Sequence, residues 1–322
     1  MLFMRGVFLL LIVSSTLLGA CANAPDQKLD DYEQATTPDA EVDTLESVRK
    51  KVGTTVGKLA NRMDAFFAGK RAYDETKGNY AQLNLLTLWQ DTGKLTFNST
   101  IEAKLVFPNT EERWKLLIET DRDRDLDSGD FVDDPLAAVT EPDYRVGLRY
   151  LSKNVGDWDL RFDGGAVFAA PIDLFVRARA RRYYKYGFGS TRVAQTLTGY
   201  TSMRQEALTE IDFDRLIDEN LLFRYAVELN LSTLDTSNLW RHGPALYHHW
   251  NKTEAIQYQV GQIGTHTPVT VSDYFAHLRY RRQLKRKWLF VELTPEYRWE
   301  VENNFEPRLY LLFKIEMVFK DS

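Results

Sequence analysis

Charged side chains recur at every second position in several stretches of this 322-residue chain, and that spacing is the first feature with chemical consequences. Arg177, Arg179 and Arg181 form one run, and His277, Arg279 and Arg281 form another. Lys314 and Glu316 stand two apart, while Arg224 with Glu228 and Glu292 with Glu296 stand four apart, which keeps the same parity. Alternate residues of an extended backbone share a face, so each run lays guanidinium, carboxylate or imidazole groups along one side of a strand. The chemistry of such rows is electrostatic. They neutralise one another across neighbouring strands, or they sort charged solutes in a polar constriction, where the row from Arg177 to Arg181 would favour anions.

Two other groupings point to different chemistry. Asp121, Asp123, Asp125, Asp127 and Asp130 crowd one stretch ahead of Asp133 and Asp134, and alternate aspartates could offer oxygen ligands to Ca2+. None of the five is followed by a glycine at the sixth position, and only Asp130 has a glutamate, Glu141, at the twelfth, so the run reads first as a solvated acidic loop and second as a divalent-ion site. Among the five histidines, His266 with Asp273 is the pair that could supply a hydrolytic base and its orienting carboxylate. No nucleophile motif accompanies it, and Gly187-Phe188-Gly189 lacks the third glycine and the helix of a nucleotide loop. We therefore assign no catalytic residue, no confident metal ligand and no cofactor.

Composition narrows the field. Lys and Arg total 41 against 46 Asp and Glu, a net charge of -5, which excludes the basic footprint of a nucleic-acid binder. Cys21 is the single cysteine, so disulfides within the chain and cysteine-rich metal sites are excluded. Aromatic residues are 13% of the chain.

The elements that position the charged rows are long strands. From residue 79 onward the period is two: Leu95, Phe97, Ile101 and Leu105 alternate with Thr96, Asn98, Thr100, Glu102 and Lys104. Leu221, Phe223, Tyr225, Val227 and Leu229 alternate with Arg224 and Glu228, and Leu289, Val291, Leu293, Tyr297 and Trp299 with Glu292, Glu296 and Arg298. Each strand thus has one greasy and one wet face, as in a soluble sandwich or a membrane barrel. Several runs exceed the usual ~5–6 residues of soluble strands and match the ~9–11 of membrane-crossing ones. Their ends carry rings such as Trp89, Trp114, Trp158, Trp288 and Phe319, suited to membrane interfaces. The fold expected is mainly β: a transmembrane antiparallel up-and-down barrel of about fourteen strands, with 12 to 16 allowed, over residues 79–319. The greasy faces then meet lipid, and Arg177, Arg179, Arg181, Arg224, Glu228, His277, Arg279, Arg281, Glu292, Glu296, Lys314 and Glu316 line the lumen. Keeping both polar faces on one side requires an even connection between these runs, and a two-residue loop at Arg286-Lys287 sets Arg281 opposite Glu292 and His277 opposite Glu296. Short connections fall at the periplasmic end and longer ones, residues 120–143, 233–242, 265–272 and 300–307, at the other.

The chain before residue 79 supplies an address. Gly6 to Ala20 is apolar but too short to span a bilayer, and it ends in Leu18-Gly19-Ala20-Cys21. That ending resembles the bacterial lipobox, and the resemblance implies a signal peptide over residues 1–20, a covalent lipid on Cys21 and sorting to the outer membrane. Residues 21–41 read as a disordered acidic tether, and residues 42–69 as an amphipathic periplasmic helix with Leu45, Val48, Val52, Val56, Leu59, Met63 and Phe66 in one stripe. Such a helix could pack on the barrel, lie on the membrane or dock a periplasmic protein; as a plug, its apolar stripe would be misplaced in a polar lumen. The last strand, ending at Phe319, and the segment from Trp288 to Trp299 resemble the C-terminal ends of uncharacterised bacterial outer-membrane barrels. We expect a bacterial outer-membrane lipoprotein with both termini periplasmic, acting as a pore or export accessory for polar solutes or glycans. The alternatives are a non-conducting envelope scaffold that docks a partner through the helix, and a barrel hydrolase. The expected partners are outer-membrane lipids and not nucleic acid, and the sequence leaves the oligomeric state open.

Overall fold

The computed structural model describes residues 66, 78–107, 113–121, 143–152, 155–168, 171–233, 238–266 and 268–320. Cys21, the tether, the helix apart from Phe66, and Asp123, Asp125, Asp127 and Asp130 lie outside the described residues.

Fourteen antiparallel strands close into one barrel. In chain order they are β1 Tyr80–Gln90, β2 Leu95–Val106, β3 Trp114–Asp121, β4 Asp143–Leu151, β5 Asp159–Phe168, β6 Asp173–Lys185 and β7 Ser190–Tyr200. They continue with β8 Gln205–Asp218, β9 Leu221–Ser232, β10 Leu239–Asn251, β11 Glu254–His266, β12 Val269–Gln283, β13 Leu289–Glu300 and β14 Pro307–Lys320. Every strand pairs with its neighbours in sequence, and β1 closes the wall against β14 from Tyr80↔Lys320 to Gln90↔Tyr310. That closing pair sets Tyr80 and Lys320 side by side, so the described strands begin and finish at one end of the barrel, here the near end.

The barrel is inside-out relative to a soluble protein. Phe97, Val176, Leu174, Val260, Tyr297 and Phe319 point outward and are exposed, whereas Arg192, Arg224, Arg281, Lys104 and Lys314 are among the largest fully buried side chains. A sandwich would bury the greasy faces against each other; here closure turns them outward and gathers the charges within. Period-two alternation accounts for this, since a one-residue slip of any strand would reverse its faces.

Two of the glycines bare the inner wall for rings. A Cβ on Gly147 would stand 3.2 Å from Cζ of Phe175, and one on Gly261 would stand 2.6 Å from Cζ of Phe275. Phe275 lies against the bare backbone of the adjacent strand β11, whereas Phe175 of β6 reaches past Gly165 of β5 to the bare backbone of β4. One expectation needs correction: β11 and β12 run on to His266 and Val269, with Thr265↔Thr270 paired, so the connection expected over residues 265–272 is largely strand. Paired alternation simply continues further toward the far end than the turn-like composition suggested.

Candidate functional site: the charged inner wall

β12 and β13 pair with His277 opposite Glu296 and Arg281 opposite Glu292, the register expected from the intervening loop. β14 then places Lys314 opposite Glu292. Arg281 donates to Glu316 and, at 3.2 Å, to Oε2 of Glu292. Arg279 Nε lies 2.8 Å from Glu292 Oε2, and Lys314 Nζ lies 3.1 Å from Glu292 Oε1 and 3.7 Å from Glu316 Oε2. Beside this group, Glu296 receives Arg298 at 2.9 Å and His277 Nδ1 at 3.3 Å. Three cations therefore share two carboxylates in a cluster whose side chains are at most 4% exposed. Unpaired charges at such burial would cost several kcal/mol each, which is why the cations and anions alternate across the strands.

The second cluster spans β3 to β6. Asp163 accepts both Nε and Nη2 of Arg149, at 2.8 and 3.0 Å, and Nε of Arg177 at 2.7 Å. Glu119 takes Arg177 at 3.0 Å and stands 3.5 Å from Arg149 and 3.9 Å from Arg145. Nearer the chain ends, Asp159 takes Arg181 at 2.6 Å and Arg161 at 2.9 Å. A third cluster follows on β6 to β9: Arg179 with Glu210 at 2.9 Å, Arg192 with Asp212 at 2.6 Å and Glu210 at 3.4 Å, and Arg224 with Asp214 at 2.6 Å. Glu228 is buried and faces Arg241 in the β9–β10 register.

The row Arg177, Arg179, Arg181 is thus met by Asp163 and Glu119, by Glu210, and by Asp159 in turn. A preference for anions does not follow from that row alone, because carboxylates from β3, β5 and β8 compensate it. Those carboxylates, with Arg145, Arg149 and Arg192, were not singled out in the sequence, although Glu210, Asp212 and Asp214 alternate on β8 and carried the same signal. Of the remaining candidates, Asp121 ends β3 opposite Asp143. His266 pairs with Val269 and Asp273 with Ile263, which sets them three residues apart along β11, about 10 Å on the strand rise and far beyond a hydrogen bond.

Toward the near end the inner wall changes character. Tyr80, Leu117, Phe290 and Val318 form one inward apolar cluster, and Leu222, Ala245, Tyr247 and Ala255 form another. Phe66 packs against both. Its ring centroid lies 5.1 Å from His249 and 6.0 Å from Phe290, and the Arg281 guanidinium stands 6.0 Å from its ring. The stripe residue Phe66 therefore sits inside the barrel. The expectation that an apolar side chain is misplaced in the lumen does not hold for Phe66, because the wall at this depth carries a collar of two apolar clusters, interspersed with Lys104, His249 and Gln257.

No protein-family model and no curated protein matches the chain. Among solved structures, Pseudomonas putida OprB at high pH is similar with 9% identity and a TM-score of 0.48, over 76% of this chain and 94% of that one. A bacterial polysaccharide outer membrane secretin is similar with 12% identity and a TM-score of 0.44, over 76% and 99%. The KdgM porin in complex with disordered oligogalacturonate is similar with 9% identity and a TM-score of 0.36, over 74% and 99%.

Proposed function

We propose that this chain is a bacterial outer-membrane lipoprotein barrel, acylated at Cys21, that acts as a pore or export accessory for polar solutes or glycans. The observation that carries the reading is the inversion of the barrel: a closed wall of fourteen strands, greasy outside and charged inside. The outer face suits hydrocarbon, where an arginine at mid-depth would cost ~2–4 kcal/mol. The inner wall offers a solute alternating cations and anions instead of one sign, which favours hydroxyl-rich or zwitterionic cargo over a simple ion. With the tether in the periplasm, the near end is the periplasmic mouth and Phe66 lies across it.

One observation favours the scaffold reading in the resting state. Inward charges are closely paired and Phe66 occupies the near-end collar, an arrangement suited to a barrel that does not conduct while the ring is seated. Planar-bilayer recording separates the two. The pore reading expects small or rare currents from the wild type and larger ones from a protein lacking residues 42–68. Silence from both, with the barrel folded, removes the pore and leaves the scaffold.

A further inference from the structure

Buried arginines on the inner wall follow a rule. Arg149, Arg192, Arg224, Arg279 and Arg281 are each at most 3% exposed, and each lies within 2.8 Å of a carboxylate. Two of them grip it in the same way: Arg149 sets Nε and Nη2 on the two oxygens of Asp163 at 2.8 and 3.0 Å, and Arg224 does so on Asp214 at 2.6 and 3.0 Å. Those two N–H groups point side by side, at the spacing of the two oxygens of a carboxylate.

Arg241 breaks the rule. It is buried as deeply, at 2% exposed, yet neither its Nε nor its Nη2 has a hydrogen-bond partner, and its guanidinium pairs with no described carboxylate. Glu228 stands opposite it on β9 but is engaged with other groups. A buried cation in that state is costly to the fold, which gives it a reason other than stability. Its neighbours suit the rest of a ligand. Ile263 lies opposite Arg241 on β11 and packs with Ala226 and Phe275 in an inward apolar cluster. The next inward position of β10 is Gly243, opposite Ala226, so the wall beside the guanidinium stays low: a Cβ on Gly243 would stand 2.7 Å from Cα of Gly261. With no bond to break, the Arg241 side chain turns over this low ground to meet a solute. Tyr247 of the collar follows further along β10, about 20 Å on the strand rise, so Phe66 does not stand between Arg241 and the far mouth.

We propose that Arg241 anchors a binding site for organic carboxylates in the far half of the lumen. Its Nε and Nη2 take both oxygens of the solute's carboxylate, and Ala226, Ile263 and Phe275 take the apolar or ring-shaped body that carries it. A chloride or potassium ion makes no such two-part contact. Glu228 beside the fork keeps the affinity in the weak range that lets a solute leave again. The inference deepens the pore reading, from which it takes only that solutes reach the lumen.

The full chain in dodecyl maltoside micelles, at neutral pH and low salt, is titrated with benzoate and followed by saturation-transfer difference NMR, while heat-modifiable mobility establishes folding. The site requires saturable benzoate binding by the wild type. Arg241→Gln weakens it about tenfold or more, the factor expected for charge-assisted hydrogen bonds. Arg241→Lys, which keeps the charge and loses the fork, weakens it as well, and decides the test if Arg241→Gln does not fold. Arg182→Gln, which removes a cation bonded to Asp157 on the outer wall, leaves it unchanged. Benzyl alcohol, with the ring and no carboxylate, binds about tenfold more weakly, and inorganic phosphate displaces benzoate only at about tenfold higher concentration. No saturable binding by the folded wild type overturns the site, as does binding that survives Arg241→Gln. Wild-type affinity in Arg241→Lys, or equal affinity for benzyl alcohol or phosphate, overturns recognition of a carboxylate by the fork. Planar-bilayer recording keeps the two readings apart: a conducting barrel that binds no benzoate loses the site and keeps the pore, and a silent barrel that binds it loses the pore and keeps the site.

Discussion

Phe66 and Phe290 meet edge to face, with ring centroids 6.0 Å apart and planes at 88°. Phe290 is the first inward residue of β13, two before Glu292, so the wet face of that strand begins with an aromatic ring instead of a charge. On β9, Leu222 precedes Arg224 on the same face, and on β14 Val318 follows Glu316. These substitutions at the strand ends build the collar that Phe66 fills. Phe66→Ala removes the ring and about 1–2 kcal/mol of apolar burial, a shift of about five- to thirtyfold toward the unseated state. Single-channel recording should show larger or more frequent openings with no change in heat-modifiable mobility. Currents identical to wild type would mean that the ring does not obstruct the path.

Arg281 is fully buried between Glu292 and Glu316, and its guanidinium also covers the Phe290 ring at 4.3 Å. Arg281→Met removes the cation and leaves both carboxylates with Lys314 and Arg279 alone. The expected loss is about 3–5 kcal/mol, since breaking a buried pair strands its partner. The double change Arg281→Met with Glu316→Gln should recover part of that loss. Urea unfolding in vesicles measures both, and equal destabilisation by single and double variants would refute the charge argument.

Much of the fold was legible because alternation is a strict code in a barrel: the faces of β9, β12, β13 and β14 follow directly from residue parity. The register of β12 on β13 was legible for the same reason, since an even loop is the only way to keep His277 and Arg281 on the face of Glu296 and Glu292. Ion pairing across the barrel wall was harder to read. Arg177 meets Glu119, 58 positions earlier, through the tilt of β3 to β6, and no local pattern encodes that contact. The position of Phe66 was misread for a physical reason: parity reports polarity averaged along a strand and hides a local change at its end.

Gly261 lies beneath Phe275, and a Cβ there would stand 2.6 Å from Cζ and 2.7 Å from Cε1 of the ring, with the His242 carbonyl at 2.8 Å. Gly261→Ala should therefore cost about 1–3 kcal/mol by overpacking. Gly199→Ala, whose new Cβ would have nothing nearer than Val176 at 3.9 Å, should change stability by less than about 0.5 kcal/mol. Pairing Gly261→Ala with Phe275→Leu tests the assignment. If the ring is the obstacle, the double variant unfolds at higher urea than Gly261→Ala alone.

Asp163 holds two arginines, Arg149 and Arg177, and so decides how the inner wall treats ions in the proposed pore. With Asp163 ionised the cluster sets two carboxylates, Asp163 and Glu119, against Arg145, Arg149 and Arg177, a net charge of +1, and the open barrel should favour chloride over potassium only weakly. Asp163→Asn leaves Arg149 and Arg177 with Glu119 as the shared carboxylate and adds one net positive charge to the wall. In a potassium chloride gradient, recorded on the background of Phe66→Ala to hold the path open, the reversal potential should move toward that of chloride. Arg177→Gln removes a cation from the same cluster and should move it the other way. Both shifts should shrink as ionic strength rises, because the screening length falls from about 10 Å at 0.1 M to about 3 Å at 1 M. Equal reversal potentials in all three proteins would place the conducting path away from Asp163, and the charged clusters would then serve only to hold the wall together.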